Sequence, residues 1–345
     1  MSISYLIEQI TPEKHKENLV KFWANNLATN FNQRYDWFYS DHSFGVPKTW
    51  ILTQKGSLDI LGCASLFPRK FRIKKQNYLA GINCDFFIDK NHRTLGPALK
   101  LLHAVTDDYQ QHGLDFLLAF PNEKAGPVFK RCGYVELAPL YRWAKPLRTQ
   151  NYIARKHPNS KAAIALSFPL DFLLKNFRKL KGRRTLQSVD LKVIEHLPEN
   201  LHFQNGGSAH LSHATFSPSF LAWRYLSNPK TDAKIALFSV KGQNNGILIF
   251  NIHNGVFNVL NLFLTNFNTE FRAALSEIIQ LADQYNTDSV SIAFGCADGM
   301  VLKSLKKNHF SMRDKRNIFI YQNSTKASGI FNEQNWLLFE GDVDL

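Results

Sequence analysis

Between Cys84 and Tyr134 the apolar residues change period three times. Asp85-Phe86-Phe87-Ile88-Asp89 is a short, nearly continuous apolar run, as a strand buried on both faces requires. Leu99, Leu101, Leu102, Val105 and Tyr109 then recur at helical spacing, and Leu114 to Phe120 returns to a buried-strand run. A turn carrying Asn122 and a short helix closing on Gly133-Tyr134 complete a strand, loop, helix, strand, helix unit.

The pattern before this unit predicts a helix over 12–27, a second aromatic helix from Tyr35, and strands at Trp50–Leu52, Leu58–Phe67 and Phe71–Leu79, bounded by Gly and Pro. The second half repeats the scheme. Gly246–Phe250 and Phe257–Leu264 read as strands, Glu270–Tyr285 as a helix, Ser289–Phe294 as a strand, and Met300–Asn308 as a helix closing on His309-Phe310. Ser217 to Asn228, with Trp223-Arg224-Tyr225, echoes the Tyr35 to Asp41 region. The expected division is 1–147, a basic connecting segment 148–192, and 193–345.

With 345 residues, 44% of them hydrophobic, the chain can bury two ordinary cores. No stretch has the length and apolarity of a membrane-spanning helix, and Met1 to Asn18 carries charges of both signs where a signal peptide needs an apolar core, so a cytoplasmic location is expected. Cys63, Cys84, Cys132 and Cys296 are scattered without a Cys-x-x-Cys pair and read as reduced core thiols. Of twelve histidines, the closest pairing, His210 and His213, lacks a partner set for a metal; no metal is expected. Between Lys145 and Lys192 twelve Lys and Arg face only Asp171 and Asp190, which concentrates most of the net +14 in one stretch. An anionic partner follows from that charge. A solvated linker helix, a helix lying peripherally on the inner membrane surface, and a dock for an acidic carrier or sugar nucleotide all fit it. Nucleic acid does not, because the aromatic residues sit in core-like runs and no binding motif accompanies them.

The chemistry-bearing segment is Arg93-Thr94-Leu95-Gly96-Pro97-Ala98. The first amides of a helix have no intrahelical partner and the dipole adds positive potential, so a phosphate is held there. Gly96 permits close backbone approach, Pro97 gives up an N–H the helix does not use, Ala98 keeps the next position small, and Arg93 adds charged donors.

On these residues the chain resembles the GCN5-related N-acetyltransferase superfamily, whose acyl-CoA loop reads Gln/Arg-x-x-Gly-x-Gly/Ala. Arg93, Gly96 and Ala98 match it, and Asn122, Ala125, Gly133 and Tyr134 occupy the places of a second motif, Asn-x-x-Ala followed by Gly-Phe. The resemblance implies an α/β fold with a mixed α+β sheet: tandem acetyltransferase-like domains, each a mostly antiparallel central sheet flanked by helices, the second copy degenerate. Where the first copy has its glycine loop, the second reads Asn266 to Arg272 with no glycine and an acidic Glu270, so one cofactor site is expected.

The resemblance further implies acetyl-CoA or another acyl-CoA as co-substrate, held by Arg93, Thr94, Leu95, Gly96, Pro97, Ala98, Asn122, Ala125 and Phe129, with a backbone amide within Phe86, Phe87 and Ile88 on the thioester oxygen. Phe129 stands where many members place a tyrosine acid, and phenylalanine donates no proton. Arg34 to His42 becomes the wall of the acceptor pocket, with Tyr35 and Tyr39 as substrate contacts and Trp37 and Phe38 packed under the sheet. Asp85 is the first candidate for general base, or else a strand-end carboxylate capping a loop; Asp36 is a second candidate and His92 a third. The expected reaction is direct acyl transfer to an amine or hydroxyl of a small polar or anionic acceptor, a saccharide being one such acceptor. An aminoacyl-tRNA-dependent transferase of the Fem type and a non-catalytic acyl-CoA-binding scaffold are the alternatives.

Overall fold

The computed structural model describes residues 4–26, 31–40, 45–74, 76–149, 189–198, 211–295, 299–323 and 336–342, together with Ile153 and Pro169. Most of the basic stretch expected to meet an anionic partner lies outside them, as does Cys296. In chain order the first half contains β1 (Tyr5–Ile10), α1 (Lys16–Asn26), α2 (Asn32–Tyr39), β2 (Lys48–Gln54), β3 (Ile60–Ile73), β4 (Gln76–Ile88), α3 (Leu95–Asp108), β5 (Phe116–Ala119), α4 (Gly126–Arg131) and β6 (Val135–Pro146). The second half contains β7 (Val189–Ile194), β8 (Ser212–Ala214), α5 (Pro218–Leu221) running into a π turn at Ala222–Leu226, β9 (Lys234–Val240), β10 (Gln243–His253), β11 (Val256–Leu264), α6 (Phe267–Gln284), β12 (Ser289–Gly295), α7 (Gly299–Lys307), β13 (Ser311–Tyr321) and β14 (Trp336–Phe339).

All these strands join one mixed sheet in the order β1-β2-β3-β4-β5-β13-β6-β12-β11-β10-β9-β7, with β14 attached to β12, and β8 to β3 and β14. Along the main path every neighbouring pair is antiparallel except β4 with β5 and β11 with β12, each joined through a helix as a parallel pair requires. Read inward from the two edges, the halves repeat one order. They meet by exchange: β13, the last long strand of the second half, pairs with β5 of the first, while β6 pairs with β12 of the second. Neither half therefore closes its sheet from its own chain.

Helices α1 and α2 cover one face of the first half through Leu19, Phe22, Trp23, Trp37 and Phe38, and α3 and α4 cover the other through Leu101, Leu102, Val105 and Phe129. The echo between Tyr35–Asp41 and Ser217–Asn228 is a physical contact. The rings of Trp37 and Trp223 stack at 5.0 Å, and each indole N–H donates to the other's backbone carbonyl, at 2.9 and 3.2 Å. Trp37 and Phe38 pack under the sheet as expected.

Two expectations shift. The break anticipated at Pro68 is absent, and β3 runs through it to a turn at Lys74. Pairing of β3 with β2 ends at Leu66 and pairing with β8 begins at Phe71, so Pro68 sits where its missing N–H removes no ladder bond. β1 lies where only a charged N-terminal segment was read; its burial alternates weakly, with Leu6 half exposed at the sheet edge. Among the described residues no helix is long and apolar enough to cross a membrane.

Candidate functional site

Strands β4 and β5 pair only over Ala80–Ile82 and Phe116–Leu118, and then part. The cause lies in β4. Its register against β3 shifts between Cys63 and Ser65, so that Asp85 and Phe86 together face Ala64, and Asp85 takes a left-handed backbone with φ of +49°. Such a conformation costs about 1 kcal/mol or more outside glycine, and aspartate is among the side chains that tolerate it best. Its carbonyl is held by the Cys63 thiol at 3.1 Å, and the Cys63 sulfur in turn accepts the Trp23 indole N–H at 3.2 Å. Burial, and then the Asp85 charge, push the Cys63 thiol well above its usual range, so it stays protonated and serves as a fixed donor.

The parting strands enclose a cleft of about 240 Å³. One wall is Asn83, Cys84, Asp85 and Phe86; the other is Phe120, Pro121, Asn122, Ala125 and Phe129; Arg316 reaches it from the exchanged strand β13. Asn122 makes the turn into α4, since its side-chain oxygen accepts the amides of Lys124 and Ala125 while its carbonyl accepts those of Ala125 and Gly126. Phe129 is buried edge-on against Phe86 and Tyr134. The Asn83 amide donates to the Leu118 carbonyl at 3.3 Å and the Tyr134 hydroxyl at 2.8 Å, while its oxygen, on a side chain in a residue 6% exposed, has no partner among the described residues. A buried acceptor without a donor at a cleft wall is suited to a ligand N–H.

At the far end of β4 the loop 89–94 is built by Asp89, which accepts from the Asn91 amide and the Asn26 side chain, and it delivers the chain into α3. Thr94 provides no side-chain cap, which leaves the first amides of α3 for another acceptor. A Cβ built on Gly96 meets nothing within 4 Å, so the protein itself does not require glycine there. Pro97 and Ala98 turn inward, while Thr94, Leu95 and Gly96 are exposed. Arg93 folds back, its Nε donating to the Ile88 carbonyl at 3.0 Å with the guanidinium 4.8 Å from the Phe87 ring centre.

The corresponding place in the second half differs at each of these points. Helix α6 is capped from within: the Asn266 side chain accepts the Thr269 amide, and Glu270 accepts the Asn266 amide and the Asn245 side chain. Strand β14 and the turn Glu340–Asp342 occupy the space beyond the β11–β12 pairing, where Asp342 accepts from Asn261 and from the Phe339 amide. Only about 20 Å³ remains between Asn261, Leu264, Phe267 and Phe339.

A larger cavity of about 430 Å³ opens on the other side of Asp85, at the seam of the two halves. Its walls are Phe31 and Arg34 of the α2 region, Arg224 and Tyr225 of the π turn, Asn228, Lys230 and Thr231 beyond it, Asn251 and Leu260 of β10 and β11, and Glu340. Asp85 is thus common to both spaces. Its carboxylate is pinned: Arg34 donates to one oxygen at 2.7 Å and Tyr39 to the other at 2.7 Å, and Tyr39 also contacts Ser65, itself bonded to Thr49. The Arg34 and Asp85 side chains are only 8% and 12% exposed. Burial, and next the Asp85 charge, hold the Tyr39 phenol far above its usual range, so it acts as a donor throughout the neutral range.

The other expected contacts fall elsewhere. Asp36 points outward to Lys16 at 2.6 Å and borders neither space. Tyr35 is 1% exposed, stacked on Tyr39, with its phenol pushed up to about 12 chiefly by burial; it braces the site from behind. Tyr39 likewise reaches ligand space only through Asp85. His92 is bonded to Tyr5 at 3.0 Å in the loop before α3 and lines neither space. The resemblance placed Tyr35 and Asp36 on the acceptor-facing surface, but α2 presents Arg34 to the seam cavity instead. Lys230, Asn83 and Arg316 carried no motif and were not singled out by the sequence reading; Arg34 and Arg224 were legible only as neighbours of the repeated Tyr and Trp residues.

Residues 14–134 match the model of the acetyltransferase (GNAT) family. Among solved structures, a GCN5-related N-acetyltransferase from Anabaena variabilis superposes with a TM-score of 0.65 at 12% identity, covering 94% of this chain and 75% of that one. A probable N-acyltransferase from Enterococcus faecalis gives 0.64 at 12% identity over 92% and 73%. The N-myristoyltransferase of Saccharomyces cerevisiae, solved with bound myristoyl-CoA, gives 0.55 at 10% identity over 93% and 80%. At these identities the likeness is one of fold. No match to a curated protein is found.

Proposed function

Residues 14–134 form a domain of the acetyltransferase (GNAT) family, and on that premise we propose that the chain moves an acetyl or other short acyl group from acyl-CoA to an amine of a small polar acceptor. The observation that carries the reading is the cleft between β4 and β5, beside an uncapped α3 and sharing Asp85 with the seam cavity.

The residues fit an acyl-CoA. The amides of Leu95, Gly96 and Ala98 and the Arg93 guanidinium hold the pyrophosphate, with room over Gly96 for it. The β4 edge beyond Ile82, left unpaired by β5, lies along the pantetheine arm, and Asn83 Oδ1 accepts one of its N–H groups. Bound there, acyl-CoA supplies an activated thioester. A backbone amide within Phe86–Ile88 polarises its carbonyl.

Asp85, fixed by Arg34 and Tyr39, orients the acceptor amine at the boundary of the two spaces and receives its proton as the C–N bond forms and the C–S bond breaks. Phe129 offers no proton, so the departing thiolate is protonated by water entering through the cleft. The second half serves as a wall of the acceptor cavity and as donor of β13. The test is thiol release from acetyl-CoA across a panel of small amines, with mass-spectrometric detection of the acylated product. Turnover by the wild type that falls at least tenfold in Asp85→Asn supports the assignment; equal turnover by both removes Asp85 from the reaction.

A further inference from the structure

The seam cavity is asymmetric in charge, and that asymmetry bears on the acceptor. Three cations, Arg34, Arg224 and Lys230, line it against Asp85 and Glu340. Arg34 is committed to Asp85 at 2.7 Å, and Glu340 is exposed at the rim. Arg224 is buried, one guanidinium contact being the Tyr225 ring at 5.5 Å and another the Trp37 ring at 5.9 Å. Lys230 lies 5.0 Å from the Phe31 ring centre and makes no ion pair among the described residues. Asn228, Thr231 and Asn251 add neutral polar groups beside it. The cavity thus has a carboxylate at the end shared with the acyl cleft and two cations of the second half on its other walls.

Resting on the acyltransfer reading above, we propose that the acceptor is a small amine bearing a carboxylate or phosphate, its amine directed to Asp85 and its anionic group held by Lys230 and Arg224. The electrostatics agree with the geometry. Partial burial, and then the nearby Arg34 charge, hold the Lys230 ammonium below its usual range, with only Asp85 acting in the opposite sense. An anion placed beside it relieves that repulsion. The π turn that carries Arg224 follows Ser217-capped α5, and its Trp223 is locked to Trp37, so the cation is presented on a rigid support.

Two readouts decide the proposal. The first compares matched acceptors with acetyl-CoA: serine against serinamide, and phosphoethanolamine against ethanolamine. Wild type should prefer the anionic member of at least one pair by about tenfold or more in kcat/KM, as a charge-assisted contact supplies. The carboxylate and phosphate pairs separate the two anion sources. Lys230→Met should collapse that preference through KM, leaving calorimetric affinity for acetyl-CoA within about threefold, because Lys230 does not border the acyl cleft.

The second readout needs no turnover. NMR of the isotope-labelled Lys230 side chain should show its titration moving upward on addition of serine or phosphoethanolamine, and staying in place with serinamide or ethanolamine. Equal use of charged and neutral acceptors, an unchanged preference in Lys230→Met, or a Lys230 titration indifferent to both anionic amines overturns the proposal. Failure of acetyl-CoA to bind at all sinks the acyltransfer reading instead, and the NMR titration still judges the anion site.

Discussion

Replacing Arg34 by methionine keeps an unbranched, mostly apolar stem and removes the guanidinium, and with it the charge and the donor that hold Asp85 and the contact with the Phe38 ring at 5.1 Å. At 2.7 Å and an effective dielectric near 20, the gross Coulomb attraction is about 6 kcal/mol. Much of that offsets desolvation of two groups that are 8% and 12% exposed. What the substitution reveals is the cost of leaving Asp85 charged and half-satisfied; removal of one partner of a buried pair typically costs about 3–5 kcal/mol. The Tyr39 hydrogen bond to the other oxygen survives, which places the expected loss near the lower end, about 3 kcal/mol. Chemical denaturation measures it directly, and the double variant Arg34→Met/Asp85→Asn supplies the cycle. Asparagine tolerates the left-handed backbone at position 85 and carries no charge, so the double variant should recover at least half of the loss. Acyl transfer should be lost in both, with acetyl-CoA affinity held within about threefold. A single variant that loses less than about 1 kcal/mol, or a double variant no more stable than the single, refutes the account of Asp85 as a carboxylate held in place by Arg34.

The remaining expectations concern the seam, the second half and pH. Trp223→Ala removes a buried ring stacked on Trp37, Phe67 and Phe38 and should cost about 3–5 kcal/mol by denaturant titration; a near-neutral result argues that the halves are not joined there. Asn266→Ala removes the α6 cap and should cost about 1 kcal/mol without altering acetyl-CoA affinity, since that helix end is closed to ligand. Burial holds the His213 imidazole below its usual range, so the folded state takes up its proton later than the unfolded state as pH falls. Stability should therefore be full above about pH 6.5 and decline below it, by up to about 1.4 kcal/mol per pH unit from this group. The slope between pH 6.5 and 5 should flatten in His213→Gln, and an unchanged slope assigns the effect elsewhere.

The legibility of the chain follows from which interactions are local. Helix α3 and strand β5 were readable because Leu101, Leu102 and Val105, and then Phe116 to Phe120, carry their burial in their own period. The glycine loop was readable because helix ends impose local backbone demands that few residue types meet. The exchange of β6 and β13 was not, since both strands would look the same to a period count whichever half they paired with. The same holds for the site. Asp85 could be named from its strand, but its partner Arg34 lies 51 residues away and was visible only as the first residue of an expected acceptor surface. The resemblance implies that Tyr35 and Asp36 face a ligand, whereas packing of α2 against Trp23 and the Trp223 region turns Tyr35 inward and leaves Asp36 on Lys16. The second-half filling by Trp336–Asp342 depends on a segment distant in sequence folding back onto β11 and β12, and nothing between Asn266 and Arg272 encodes it beyond the missing glycine and Glu270.

The most direct test of an acyl-CoA site in the first half alone is calorimetric titration of acetyl-CoA into the full chain and into Gly96→Glu. Because a side chain at position 96 meets only open space, the variant should fold with wild-type stability. Wild type should bind one acetyl-CoA per chain, and the variant, with a carboxylate set against the pyrophosphate, should bind at least about a hundredfold more weakly, as a repulsion of about 3 kcal/mol at roughly 5 Å implies. Two sites per chain, equal affinity in the folded variant, or no binding by the wild type would contradict the account.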